Sequence, residues 1–127
     1  MKKINIKKRN TNWSDLDDIL RLLKGSSSTT DDEIVISRIK QILFNPRYAS
    51  FTYEYDSSVI GFSFLEKYFY IDISSTFVRV IMFLMKEDLM KEEIERKMIE
   101  DAKSLVVDYK MDGLYNTHNL TTHKFIV

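Results

Sequence analysis

A nearly uninterrupted apolar segment at residues 77–85 is the feature that most limits how this chain can fold. An apolar run of strand length with no polar alternation is typical of a strand buried on both faces of a sheet. An amphipathic helix follows it and ends at Asp112-Gly113, before a brief strand that begins at Leu114. A helix between two buried strands predicts a parallel crossover, placed after a run of antiparallel strands.

The helix after the apolar segment has the clearest periodicity in the chain. Its apolar positions step by four, four, three and four residues, with charged residues on the other faces. These positions are Ile94, Met98, Ala102, Leu105 and Tyr109.

The first half of the chain predicts one strand, two helices and an antiparallel hairpin. Ile4 and Ile6 alternate with polar residues, which predicts a short first strand. Ser14 is placed to cap a helix that stops at Gly25, and Asp31 or Asp32 is placed to cap a second. From residue 49 the period changes to two, and Asp56 begins the turn between two aromatic-rich strands.

The predicted element order is therefore β-α-α-β-β-β-α-β-α, with Asn119 as the cap of a last helix. The fold class is α/β (α+β), with a mixed, mostly antiparallel sheet flanked by helices. At 127 residues the chain has room for one domain, residues 1–127.

Composition excludes several classes of function. The chain has no cysteine, so disulfides and thiolate chemistry are excluded. Lys plus Arg equals Asp plus Glu, 19 against 19, which gives no reason to expect nucleic acid or an anionic membrane as partner. The N-terminal basic residues have no apolar stretch behind them, and the apolar run at 80–85 is far short of a membrane span. We expect a cytoplasmic protein.

The sequence carries no recognisable metal or nucleophile motif. His118 and His123 are the only histidines. They lack clustered carboxylates at ligand spacing, so we expect no metal site and interpret both as ordinary polar residues. Three glycines are too few for a Walker loop or a dinucleotide-binding loop.

Three segments resemble the GNAT superfamily of N-acetyltransferases. Residues 14–23 are similar to the family's first helix, and residues 53–62, with Val59-Ile60-Gly61-Phe62, are similar to its second hairpin. Residues 119–125 are similar to the start of its last helix. In this order they span nearly the whole chain, and the resemblance implies a diverged, C-terminally short GNAT domain.

The resemblance also implies a place for acetyl-CoA, if the protein is active. In the family, the strand equivalent to residues 77–85 offers backbone groups to the pantetheine arm, and the next loop wraps the pyrophosphate at a helix N-terminus. The equivalent cofactor-binding positions in this chain are Leu84, Met85, Met90, Lys91, Glu93, Ile94, Glu95 and Asn119.

The phosphate-binding loop of the family is not preserved in this segment. Met90 stands at the family's basic or amide position, and Glu93 and Glu95 stand where it has glycines that let the backbone approach the phosphates. Residues 86–95 hold five acids and two bases. Each glutamate near the phosphates costs on the order of 1–3 kcal/mol at ~6 Å. The same acids also complement the helix dipole by ~0.3–1 kcal/mol each.

The family's catalytic groups are missing as well, so we name no catalytic residue. The general base of many members falls near Ile81 and Met82, and the general acid tyrosine falls on Ile126. The chain ends at Val127, before the family's C-terminal hairpin, which predicts an exposed sheet edge and a homodimer formed through it.

Two functions are open at this point. One is a non-catalytic GNAT-like module that binds a partner or a different ligand, which we favour because the cofactor loop is degenerate. The other is an acyl-CoA-dependent N-acetyltransferase with an atypical cofactor site, acting on an unknown amine.

Overall fold

A computed structural model of the chain describes residues 5–26, 31–69, 76–87, 90–116 and 123–126. The helices, apart from a 3-10 turn at Trp13–Asp15, are α1 (Leu16–Ser26), α2 (Asp32–Leu43) and α3 (Lys91–Asp108). The strands are β1 (Lys7–Asn10), β2 (Tyr48–Tyr55), β3 (Ser58–Phe69), β4 (Thr76–Met85), β5 (Gly113–Asn116) and β6 (His123–Ile126). Among these residues, no helix is long and apolar enough to cross a bilayer.

The strands form one sheet in the order β1-β2-β3-β4-β5-β6. All neighbours are antiparallel except β4 and β5, which run parallel with Phe77 opposite Gly113 and Val80 opposite Asn116. The predicted fold class is confirmed, and α3 is the crossover that the sequence predicted between two parallel strands.

Two elements differ from the prediction. The predicted last helix is wrong, because the described residues of that segment form β6, and its alternating His-Lys-Phe-Ile pairs with β5 through Leu114 and Phe125. This pairing supplies the backbone hydrogen bonds that a one-turn helix would make only in part. The first strand begins at Lys7 rather than around Ile4 and Ile6, because its register sets Lys7 opposite Glu54. Ile4 lies outside the described residues.

The sheet is packed on both faces, and β4 is buried by both layers. Val78, Val80 and Phe83 of β4 join the core under α3. Leu84 joins the core under α1 and α2, with Met82 packed against it. The predicted double-sided burial of this strand is confirmed. The sheet's outer strands are β1 and β6, and pairing of an edge with a second copy stays a prediction.

The helix α3 lies unusually close to the sheet at Gly61. A Cβ atom built on Gly61 would lie 2.8 Å from Met98 Cε and 3.0 Å from the carbonyl oxygen of Leu84. Met98 is fully buried, so its side chain has little room to move. A Cβ atom at Gly61 would require the Met98 methyl group to move and the Leu84 carbonyl to shift by a few tenths of an ångström, so glycine allows the present packing of α3 on β3 without either change.

A partly buried ion pair, in which Asp15 is buried and Arg9 is half-exposed, joins β1, the 3-10 turn and β2. Arg9 donates two hydrogen bonds to Asp15, at 2.8 and 2.7 Å, and a third to Glu54. Asp15 also accepts from the Asn12 N–H and from the Thr52 hydroxyl. Burial raises the pKa of the Asp15 carboxyl, but these hydrogen bonds and the charge of Arg9 together hold it below its ordinary value of 3.8.

We expect Gly61→Ala to destabilise the protein by about 1–3 kcal/mol, because the added methyl group overpacks the contact with Met98 and Leu84. Urea denaturation measures the change. Ser58→Ala, at the exposed start of the same strand, should shift stability by less than about 0.5 kcal/mol. Equal stability of Gly61→Ala and the native chain would contradict the close approach.

The Asp15 pair predicts a specific acid sensitivity. Because the pKa of Asp15 is lowered on folding, its stabilisation is complete above the ordinary value and is lost as pH falls through the folded-state pKa. Asp15→Asn should cost about 1–3 kcal/mol at neutral pH and should flatten the loss of stability between about pH 5 and pH 2.

Asp18→Asn is the matched control for Asp15→Asn, since Asp18 pairs with Arg21 on the exposed side of α1. We expect it to cost less than about 1 kcal/mol. Chemical denaturation across this pH range measures both variants, and parallel pH profiles for them would refute the role of Asp15.

Candidate functional site

The candidate site lies where β4 separates from β5. The two strands pair only through Phe77–Val80 of β4, yet β4 continues for five more residues, 81–85. Within the described residues, this end of β4 is paired only with β3. On the side of β5, residues 81–85 have no partner among the described strands.

A β-bulge marks the point of separation. Val80 is opposite Leu65 and Met82 is opposite Phe64, so Ile81 has no partner on β3. An extra residue of this kind bends and twists its strand locally. Ile81 is also partly exposed, at 37% of its surface, although it is a large apolar residue in the central part of the sheet. The bulge therefore presents an aliphatic side chain where the two strands diverge.

The N-terminus of α3 lies along the chain just beyond this edge. Met90 is the N-cap residue and makes no side-chain hydrogen bond to the helix. The first helical backbone bond runs from the Ile94 N–H to the Met90 carbonyl, at 3.0 Å. The positive end of the helix dipole is therefore not neutralised by a cap at Met90.

Acidic side chains surround this helix start. Glu92 and Glu93 lie in the first turn. Two of the nearby bases are paired with acids, because Lys91 lies 3.1 Å from Glu87 and Arg96 lies 3.5 Å from Glu93. The described charges at the start of α3 therefore sum to a negative potential.

The structure separates the predicted cofactor positions into core and surface. Leu84 and Ile94 are buried in the two cores, and the contact at Gly61 brings the Leu84 carbonyl and the Ile94 side chain together. Their side chains are occupied in packing, so only their backbone could meet a ligand. Met85 and Met90 are half-buried against the same core as Ile94.

The other predicted positions are on the surface. Lys91 is exposed, and Glu93 and Glu95 are half-buried at the helix start. Asn119, like His118, lies outside the described residues, and His123 is the first residue of β6. Within the described ranges, no three His, Asp or Glu side chains converge on a point that could hold a metal ion.

Sequence reasoning missed two residues that shape this site. Gly61 was recognised only as part of a hairpin, although the Val-Ile-Gly-Phe pattern could have suggested a close approach to a helix. The bulge at Ile81 has no signal in the sequence, because Ile81 lies inside a uniform apolar run.

Comparison with known proteins gives a fold but no sequence relative. No protein-family model matches the chain, and no curated protein matches it. A GNAT family acetyltransferase from Staphylococcus aureus superposes with a TM-score of 0.72 at 17% identity, covering 89% of this chain and 86% of its own. The aminoglycoside N-acetyltransferase AAC(6')-Iy, solved in complex with CoA, gives 0.76 at 17% identity over 91% and 78%.

The chain has the GNAT fold. A third solved structure, a predicted acetyltransferase from Clostridium acetobutylicum with acetyl-CoA, agrees with a TM-score of 0.71 at 9% identity, covering 88% of this chain and 80% of that one. At these identities the agreement concerns the backbone alone. The solved structures therefore match this chain in its fold, whereas the acids on α3 belong to this sequence.

The acids at the start of α3 should stabilise the helix through its dipole. We expect Glu92→Gln to lower the free energy of unfolding by about 0.3–1 kcal/mol at low ionic strength, and by less in 1 M salt because the charge is screened. Urea denaturation at both salt concentrations measures this. Glu100→Gln, in the middle of the same helix, is the control, and an equal loss in the two variants would contradict a dipole effect.

Proposed function

We propose that this protein is a non-catalytic binding module with the GNAT fold, unable to hold acetyl-CoA in the family's usual way. The observation that carries the proposal is the acidic start of α3, with Glu92 and Glu93 in its first turn and with Lys91 and Arg96 paired with acids. A helix N-terminus attracts a pyrophosphate only where its positive potential is not opposed.

The repulsion between these carboxylates and a phosphate group is large enough to change the affinity of the site for a ligand. Each carboxylate at ~6 Å from a phosphate costs on the order of 1–3 kcal/mol. Glu93 and Glu95 also add side chains at positions where the GNAT loop has glycines. Two such charges would weaken binding by one to several factors of ten, since each ~1.4 kcal/mol is tenfold.

The side chain at the β-bulge also favours binding over catalysis. Ile81 occupies the bulge at the divergence of β4 and β5, near the position where many GNAT enzymes place a general base. An aliphatic side chain can pack against a ligand but cannot take a proton from an amine. We place the module in the cytoplasm, with a second copy of the chain as its partner through a sheet edge.

An alternative is supported by a different observation. The edge of β4 at 81–85, which pairs with no described strand on the side of β5, and the start of α3, where Met90 supplies no side-chain cap, are backbone features that could receive acetyl-CoA. On this alternative the chain is an active N-acetyltransferase acting on an unknown amine. The backbone at Leu84 and Met85 would meet the pantetheine arm, and the start of α3 would meet the phosphates.

Thermal unfolding with and without acetyl-CoA distinguishes the two functions. A ligand at about 100 times its Kd stabilises a protein by about 2.7 kcal/mol, which is a shift of several degrees in Tm. We expect no shift for the native chain at millimolar acetyl-CoA. A clear, saturable shift would overturn the binding-module proposal in favour of the enzyme.

The double variant Glu93→Gly, Glu95→Gly tests the physical cause. If charge and side-chain volume at the start of α3 exclude the cofactor, this variant should gain a Tm shift with acetyl-CoA that the native chain lacks. The shift of each protein is measured from its own Tm without acetyl-CoA, because each glycine lowers the stability of the helix by about 1 kcal/mol. Absence of a gain in a folded double variant would show that these glutamates are not the obstacle.

A further inference from the structure

Two arginines on the face of the sheet that α1 and α2 cover share one buried carboxylate. Glu66 of β3 lies opposite Arg79 of β4, and its side chain is almost completely buried. Its two oxygens meet the Arg47 Nε at 2.9 Å and the Arg79 Nη2 at 2.5 Å. Phe62 and Phe64, at alternate positions of the same strand, pack in the core under α1 and α2. Because side chains alternate along a strand, Glu66 and the two guanidinium groups lie on this same face.

This cluster has more positive charge than it neutralises. Glu66 brings one negative charge against two guanidinium groups, which stay protonated at physiological pH. Within the described part of the chain, neither Arg47 nor Arg79 has a second acidic partner, and both side chains are half-exposed. The cluster therefore has a net positive charge of one, close enough to the surface to attract an anion.

Both guanidinium groups keep hydrogen-bond donors that Glu66 does not use. A guanidinium has five N–H groups. Arg47 meets Glu66 through its Nε, and Arg79 meets it through one terminal nitrogen. The Arg79 Nε donates to no acceptor among the described residues. The Arg79 guanidinium also lies over the Tyr68 ring, 5.3 Å from its centroid. The buried carboxylate and the ring thus hold two cationic groups side by side, an arrangement suited to a second carboxylate.

An exposed aromatic pair lies next to the two arginines. Trp13 and Phe44 are 41% and 67% exposed, and their ring centroids are 6.0 Å apart. Phe44 ends α2, and Arg47 follows it by three residues, which limits the distance between their Cα atoms to about 11 Å. A turn in which the Tyr48 N–H donates to the Asn45 carbonyl, at 3.0 Å, fixes this connection. The aromatic pair and the arginines are therefore neighbouring parts of one surface.

We call this the aromatic–arginine surface, and it is formed by Trp13, Phe44, Arg47, Tyr68 and Arg79. Its composition is that of a protein contact, because tryptophan, tyrosine and arginine carry most of the binding energy at interfaces and phenylalanine is enriched there. One net positive charge is few for a nucleic acid, which is bound through many phosphates. It is enough for a peptide that brings one or two carboxylates and an apolar side chain.

We propose that the aromatic–arginine surface binds an acidic segment of a partner protein that carries one large apolar side chain. A carboxylate of the segment binds at Arg47 and Arg79 and supplies the negative charge that Glu66 alone does not. The apolar side chain packs against Phe44 and Trp13, since one exposed ion pair is too weak to hold a partner. The proposal does not depend on acetyl-CoA, because Arg79 belongs to the part of β4 that pairs with β5, before the separation at residue 81.

Selection from a phage-displayed library of random dodecapeptides, with the full chain as bait, tests the proposal. We expect the enriched peptides to combine Asp or Glu with an aromatic or a large aliphatic residue. The most enriched peptide is then labelled and titrated with each variant by fluorescence polarisation. Arg79→Gln should weaken its binding by about five-fold, which corresponds to ~1 kcal/mol. Phe44→Ser should weaken it by at least as much.

These variants should fold, because Phe44 is exposed and Glu66 keeps Arg47 as its partner when Arg79 is replaced. Arg47→Gln is the reciprocal variant, since it leaves the pair of Glu66 with Arg79 in place, and it should also weaken binding. Thermal unfolding without peptide checks that each variant is folded.

Two matched controls lie on the exposed side of α2. Arg38→Gln removes the same charge, and Ile34→Ser removes an exposed apolar side chain, so both should bind the peptide as the native chain does. The proposal is overturned if no peptide is enriched, if the enriched peptides lack acidic residues, or if Arg38→Gln weakens binding as much as Arg79→Gln. Sedimentation velocity without peptide tests a second copy as occupant, and a dimer that Phe44→Ser dissociates would also overturn the proposal.

Discussion

The contact between Gly61 and α3 is the constraint on which the candidate site depends. A missing side chain at Gly61 lets Met98 and Ile94 pack directly over β3 and β4. The helix axis is fixed by this contact, and its first turn is fixed with it, just beyond the end of β4. The site is therefore positioned by the buried apolar packing of α3 on the sheet, rather than by the polar residues on its surface. The Leu84 carbonyl also lies 3.0 Å from the position of a Gly61 Cβ atom, so β3, β4 and α3 meet at this point.

The open edge of β4 has an equally local cause. Pairing with β5 ends at Val80, and the next residue, Ile81, is bulged out of register with β3. A bulge increases the twist of its strand, and a strand that twists away from a straight neighbour loses its hydrogen bonds to it. The end of β4 is nevertheless well anchored, because Phe83 packs under α3 and Leu84 packs under α1 and α2. Packing on both faces thus supports an edge that has no partner among the described strands on the side of β5.

The sequence predicted the parts of this fold that depend on periodicity. The apolar positions of α3 and the uniform apolar run of β4 identified the crossover, since both signals extend over many residues. β6 was missed, because four residues with one aromatic and one branched side chain do not distinguish a strand from a helical turn until β5 supplies a partner. Counting residues along the predicted helix located the positions of the candidate site. It did not show their roles, because only packing in three dimensions shows that Ile94 is in the core while Glu93 is at the surface.

In this chain, different residues of α3 determine the stability of the fold and the charge at the candidate site. Ile94 and Met98 contribute to the core and to the position of α3, and both are completely buried. Glu93 and Glu95 lie on the same turns but contribute mainly through charge, which at a helix start is favourable to the helix. Under the proposed function, the glutamates at these positions stabilise α3 while opposing a phosphate at its N-terminus. A GNAT backbone is therefore by itself weak evidence for cofactor binding.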